Sequence, residues 1–294
     1  MKNLLILLLA AIIWGFAFVA QKVGMDFIGP FTFNGIRFLL GAFSLLPLLP
    51  FYKKFFGVPT GKVNMNKTIS GGVVLGFVLF IAATFQQIGI IQSTAGNAGF
   101  ITSLYIVIVP FIGLFLKHKI SNNVWVGAGL AVVGLYLLSV TSGMTLAPGD
   151  GLVLISAFFF AVHIILIGFY APGSNVLLLS IIQFTVSAFL NLLAALLFET
   201  LNFMSIKEAA VPLLYGGLLS IGVAYTLQVV AQRKVAPSKA AIVLSLESVF
   251  AVLGGWLILD ETLTLRKFVG AVLMLTGLII SQLEFKSKKV TGNL

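Results

Sequence analysis

Apolar stretches of about 20 residues recur along the whole chain, and a helix of that length, rising about 1.5 Å per residue, crosses roughly 30 Å of hydrocarbon. One water-soluble core cannot absorb them all. Of the 294 residues, 60% are hydrophobic and only 9% are charged, and the mean hydropathy is +1.14. The pattern predicts an all-α membrane protein with ten transmembrane helices. The first half places them at 4–21, 31–51, 69–90, 95–116 and 122–140, the second at 151–170, 176–198, 209–231, 238–259 and 265–284. Most gaps carry turn punctuation, such as Gly29-Pro30, Ala147-Pro148-Gly149-Asp150, Pro172-Gly173-Ser174-Asn175 and Ala236-Pro237-Ser238. The stretch from Tyr52 to Lys67 is the longest loop.

The first span also has the outline of a secretory signal, with Lys2 before an apolar run that closes on Ala17-Phe18-Val19-Ala20. Trp14 and Gly15 inside the run, its length, and the nine spans behind it favour a retained helix.

A formal net charge of +10 would suit nucleic acid only if the basic residues clustered on a folded soluble surface. They sit instead between the apolar blocks, so no nucleic-acid partner is expected. With the amino terminus inside, Lys2, Lys53, Lys54, Lys62, Lys67, Lys117, Lys119, Arg233, Lys234, Lys239, Lys286, Lys288 and Lys289 are cytoplasmic, and Lys22, Lys207, Arg266 and Lys267 lie outside. The positive-inside rule then puts both termini in the cytoplasm. Asp26, Asp150, Glu199, Glu208, Asp260 and Glu261 fall on the outer side. Cysteine is absent, which excludes disulfides, thiolate metal sites and cysteine nucleophiles.

Sliding the chain by 142 residues brings Ser103-Leu104-Tyr105 onto Ser245-Leu246-Glu247, Gly113 onto Gly255, Gln86 onto Gln228 and Thr84 onto Thr226. A shift of 143 pairs Gly134 with Gly277, and 146 pairs Arg37 with Gln183 and Trp14 with Phe160. The division expected is a five-helix repeat over 1–142 and a second over 143–294. Because five is odd, the two repeats are inverted across the membrane, an arrangement found in alternating-access carriers.

Within the spans, the polar residues nominate a site. Glu247 lies about ten residues into its span, where a lipid-facing charge costs at least about 2.5 kcal/mol, so it must face protein or a wet cavity. It is either a structural acid tied to another helix or a site for a substrate amine or a proton. Arg37, in the second span, either snorkels to the outer headgroups or offers its guanidinium to a substrate carboxylate or to Glu247. His163 is a packing residue or a titrating one. Gln86, Gln183, Gln228, Tyr105 and Tyr225 supply neutral hydrogen-bonding groups, which in lipid also serve as glue between helices. Trp14 is a cavity wall or a packing residue. Gly72 and Gly76, with Gly127, Gly129 and Gly134, allow close helix approach, and Pro110 is expected to kink the fourth span.

Several segments resemble a known family. Ile13-Trp14-Gly15-Phe16-Ala17-Phe18, the run from Pro30 to Arg37-Phe38, Ser93-Thr94-Ala95-Gly96-Asn97-Ala98, and Ala236 to Glu261 followed by Leu263-Thr264 and Gly270 are similar to the ten-helix, EamA-type members of the drug/metabolite transporter superfamily. Ser248, where the family often has proline, and Lys117-His118-Lys119, where a Gly-Glu pair is frequent, depart from its pattern. The resemblance implies helices one to four and six to nine around a central cavity, with five and ten peripheral, and export or exchange of small metabolites without chemistry on them.

No phosphate-binding Gly-rich loop, His-Glu metal spacing or serine elbow is present. The expectation is therefore a secondary transporter, not an enzyme. The resemblance implies that it exports a small metabolite such as an amino acid and sits as a multi-pass protein in a bacterial inner membrane; no cofactor is expected, and it is a monomer or homodimer. Substrate contacts are assigned to Trp14, Arg37, Gln86, Tyr105, His163, Gln183, Tyr225, Gln228 and Glu247, and proton coupling to Glu247. The rivals are a non-transporting scaffold or receptor and a membrane enzyme with an unrecognised site.

Overall fold

The computed structural model describes residues 2–52, 63–117, 120–139, 147–260 and 262–282. The 53–62 part of the long loop, His118, Lys119, Glu261, the repeat boundary at 142/143 and the basic stretch after 282 lie outside the described residues. What is described is helix and connecting turns: α1 (Lys2–Gly24), α2 (Pro30–Leu48), α3 (Met65–Ile91), α4 (Ala95–Phe115), α5 (Asn122–Ser139), α6 (Asp150–Tyr170), α7 (Val176–Phe198), α8 (Ala210–Gln232), α9 (Pro237–Ile258) and α10 (Leu265–Gln282). A short helix, Phe203–Glu208, bridges α7 and α8. Eight of these helices are long and apolar enough to cross a membrane. Of the other two, α5 is a shorter apolar helix and α10 opens on Arg266 and Lys267.

Local sequence accounts for five of the ten helix starts. Pro30 and Pro237 stand in the first turns of α2 and α9, where proline costs no hydrogen bond. Asn64, Thr94 and Asn175 cap α3, α4 and α7 by accepting from the backbone N–H of Lys67, Asn97 and Leu178.

Helix α1 lies at the centre, with Leu7, Ala10 and Ala11 fully buried, and it packs against α8 and α9. A Cβ on Gly15 would collide with Phe250 of α9, so this glycine sets the closeness of the two helices. Helix α2 lies against α7 and α8, and α3 against α6 and α7. Helices α5 and α10 pair at the edge, where Gly127 and Gly277 each face the other's carbonyl and Gly134 faces the carbonyl of Gly270. Gly72 and Gly76 press on α7 at Ile182, Gln183 and Val186. These small residues thus serve contacts within the chain.

Two spans are interrupted. In α4 the break falls at Ser103 and Leu104, and in α9 at Ser245 and Leu246. The helix runs on through Pro110, and the break lies seven residues before it. Both breaks replace i−4 hydrogen bonds by tighter i−3 bonds in the same order. Leu104 N–H bonds to Ile101 and Ile106 N–H to Ser103, while Leu246 N–H bonds to Val243 and Ser248 N–H to Ser245. A third irregularity is the π-helical stretch Tyr215–Tyr225 in α8, a form that often marks functional sites.

Candidate functional site

The breaks and the π-helical stretch converge on one partly open cavity lined mostly by buried residues. Its walls come from α1, α2, α3, α4, α6, α8 and α9; none come from α5 or α10. Of the nine residues nominated from sequence, Trp14, Arg37, Gln86, Tyr105, His163, Tyr225, Gln228 and Glu247 line it. Gln183 does not. It stands on α7, which packs against α2 and α3, with its Oε1 3.0 Å from His163 Nε2.

Glu247 is the first residue of the second half of α9 and is 4% exposed. Its Oε1 accepts a hydrogen bond of 2.9 Å from the Tyr105 hydroxyl, which opens the second half of α4. One turn back, Ser103 Oγ donates to the Ser245 carbonyl at 3.2 Å. The breaks are therefore joined to each other, residue against the residue 142 positions later. A break at this point frees the helix geometry enough for a side chain and a carbonyl to meet across the two spans.

Arg37 is 3% exposed and lines the cavity instead of snorkelling to the headgroups. Its Nε donates to Asn34 Oδ1 at 2.9 Å, and its guanidinium carbon lies 5.4 Å from the ring centres of both Phe33 and Phe38. No ion pair joins Arg37 to Glu247; Tyr225 lies within Coulombic range of both. The Tyr225 ring packs on Trp14 with centroids 4.5 Å apart, and on His163 at 5.9 Å in a T-shaped contact. Trp14 Nε1 in turn donates to the Ser220 carbonyl of the π-helical stretch at 3.1 Å.

The amides complete the wall. Gln86 Nε2 donates to Thr102 Oγ1 at 3.0 Å, and Gln228 Oε1 has no partner. Gln21, Thr102, Phe160 and Ser220 also line the cavity and were not nominated from the sequence. Gln21 is 4% exposed with its Oε1 unpartnered among the described residues, and an amide inside the first apolar run is the signal that could have found it. No group of His, Cys, Asp or Glu among the described residues is placed to hold a metal ion.

A bundle of membrane-length helices around a buried polar cavity defines a multi-pass helical membrane protein with an internal polar site. The chain belongs to the EamA-like transporter family, whose model matches residues 1–140 and 147–282. It is thus a membrane transporter and not an enzyme. An uncharacterized transporter from Archaeoglobus fulgidus is 35% identical over 95% of this chain and 85% of its own. A "probable amino-acid metabolite efflux pump" from Salmonella typhimurium is 26% identical over 98% of this chain and 97% of its own. A solved crystal structure superposes with a TM-score of 0.73 at 14% identity, covering 96% of each chain, which shows a shared fold.

Proposed function

We propose that this transporter exports a small zwitterionic metabolite of the amino-acid class by alternating access around the central cavity. The observation that carries the reading is that one buried cation, Arg37, and one buried acid, Glu247, face the same cavity without pairing to each other. Each is too costly to leave in the bilayer without a role. A molecule with a carboxylate at Arg37 and an amine at Glu247 answers both, while Trp14, Tyr225 and Phe160 take its apolar part. The printed names of the efflux-pump relatives from Salmonella typhimurium and Escherichia coli support both the substrate class and the outward direction.

In this reading the chain is two inverted five-helix repeats, 1–142 and 143–294, that rock about the joined breaks of α4 and α9. Both termini face the cytoplasm of a bacterial inner membrane, as the distribution of basic residues suggests. Glu247 carries the proton that couples flux to a gradient, and its hydrogen bond to Tyr105 links its charge state to the breaks.

Counterflow tests the proposal. Proteoliposomes preloaded with an unlabelled amino-acid mixture are expected to take up a labelled member of that mixture above empty-liposome controls, and more so under a pH gradient. Absence of uptake for every amino acid would move the substrate to another class. Absence for any solute would favour a scaffold or receptor.

A further inference from the structure

A guanidinium on a long stem has many rotamers, and only some of them aim its terminal nitrogens at the cavity. Around Arg37 the other choices are closed. A Cβ at Gly216 would approach within 3.3 Å of Arg37 Cδ, so the stem lies in a slot that α8 keeps free by glycine. Phe33 and Phe38 flank the guanidinium. The remaining constraint is Asn34, fully buried one turn earlier on α2 and outside the cavity wall.

The orientation of the Asn34 amide follows from its partners. Arginine has only donors and a carbonyl only accepts. Asn34 must therefore turn Oδ1 to Arg37 Nε, at 2.9 Å, and Nδ2 to the Ala83 carbonyl of α3, at 3.1 Å. The amide is engaged at both ends and pinned to the backbone of a second helix. Asparagine is a poor mid-helix residue, which makes its place here one of contact and not of propensity. Holding Nε leaves the two terminal nitrogens without a partner among the described residues, and they belong to a side chain on the cavity wall. That is the presentation an oxyanion takes in a two-pronged contact.

We infer that Asn34 is the positioning residue that aims Arg37 at a carboxylate in the cavity, and that this neutral amide sets the site's preference for an anionic group. The inference rests on the reading of Arg37 as the anion-binding end of the site. Neutrality is the point of the device. An aspartate of nearly the same shape would pair with Arg37 from within and compete with the substrate, whereas asparagine fixes the guanidinium and leaves its charge available.

The test uses the purified full chain carrying Trp125→Phe and Trp256→Phe, so that Trp14, on the wall of the same cavity, is its sole tryptophan. Butyrate is the probe, and butyramide its uncharged control. The parent is expected to show a saturable change in Trp14 emission with butyrate and none with butyramide. Asn34→Asp is expected to weaken butyrate by about ten-fold, the effect of satisfying the guanidinium internally. Asn34→Ala, which adds no charge, is expected to weaken it by roughly three-fold through lost orientation alone. Thermal melting of each variant is followed in parallel, and the alanine variant decides the matter if the aspartate variant does not fold.

A parent that binds butyrate together with folded Asn34 variants of unchanged midpoint overturns the inference alone. Asn34 would then tie α2 to α3 and do no more, lowering the melting temperature without moving the midpoint. A parent that ignores butyrate contradicts the anion site at Arg37 on which the inference stands.

Discussion

Helices α4 and α9 break in the same way and carry different chemistry at the break. The dihedral angles φ and ψ are −64° and −9° at Ser103, −61° and −13° at Leu104, −61° and −14° at Ser245, and −62° and −12° at Leu246. The substituted hydrogen bonds follow in the same order. Yet the next residue is Tyr105 in one helix and Glu247 in the other, and the two side chains bond to each other. A backbone device common to both halves thus holds a matched pair, a donor facing an acceptor. Two acids at these positions could meet only with a proton held between them, and two phenols would meet without placing a carboxylate at this depth. The difference teaches that one backbone geometry can recur in two helices while the residue after it sets the chemistry of each.

Making the two breaks chemically alike should do the most damage. Tyr105→Glu places a second carboxylate against Glu247, and two buried acids in contact cannot both ionise. Counterflow is expected to fall to background, with melting lowered by roughly 3 kcal/mol of lost stability. Transport at the parent rate would mean that the two side chains separate during the cycle and that their contact carries little.

Removing only the donor sharpens the same comparison. Tyr105→Phe keeps the ring and deletes one hydrogen bond to an acid, so a loss of about ten-fold in transport is expected. Its pH profile should shift while the amount of folded protein holds, since the hydroxyl answers to the charge of Glu247. A Phe variant with the parent profile would uncouple Tyr105 from Glu247.

Ser103→Ala removes the other bond between the breaks, Ser103 Oγ to the Ser245 carbonyl. Interhelical bonds of this kind are worth about 0.6 kcal/mol in membranes, so a melting shift near the limit of detection and a two- to three-fold slower counterflow, by that arithmetic, are expected. A larger loss would place the serine bond, and not the Tyr105–Glu247 pair, at the centre of the link. The smallest effect on transport belongs to the periphery. Gly277→Ala forces α10 away from the Gly127 carbonyl and should cost stability while leaving substrate preference untouched.

Much of this architecture is legible in the sequence, for physical reasons that differ by element. Span positions follow from apolar length, and helices of the structure overlap the ten expected segments, eight of them long and apolar enough to cross a membrane. Eight nominated polar residues meet in one cavity because a charge or amide in the middle of an apolar span has few other places to go. Gln183 was misplaced for the same reason turned round. An amide in a span satisfies itself as well against His163 as against a solute, and sequence does not say which.

The breaks were harder to read. The i−3 bonds of Leu104 and Leu246 sit beside the contact of Ser103 with the Ser245 carbonyl across the bundle, a tertiary contact with no local signature. Proline was the visible irregularity, and the helix passes through it. Asn34 stayed hidden because its role lies in pairing with Arg37 and Ala83 at once, and only the packing of α2 on α3 brings those together. The π-helical turn of α8 likewise reflects Trp14 and Tyr215 bonding across to α8 and α1, at the Ser220 and Ile13 carbonyls.

Glu247→Gln is the decisive variant, because glutamine keeps the shape and the acceptor that meets Tyr105 and removes only the charge and the proton. Counterflow of the labelled amino-acid mixture would be recorded for parent and variant across a range of pH, with melting as the control for folding. A folded variant that has lost transport, or that transports without any response to a pH gradient, is the expected result. A folded variant that transports at the parent rate with an unchanged pH dependence would contradict Glu247 as the binding and coupling group of the cavity.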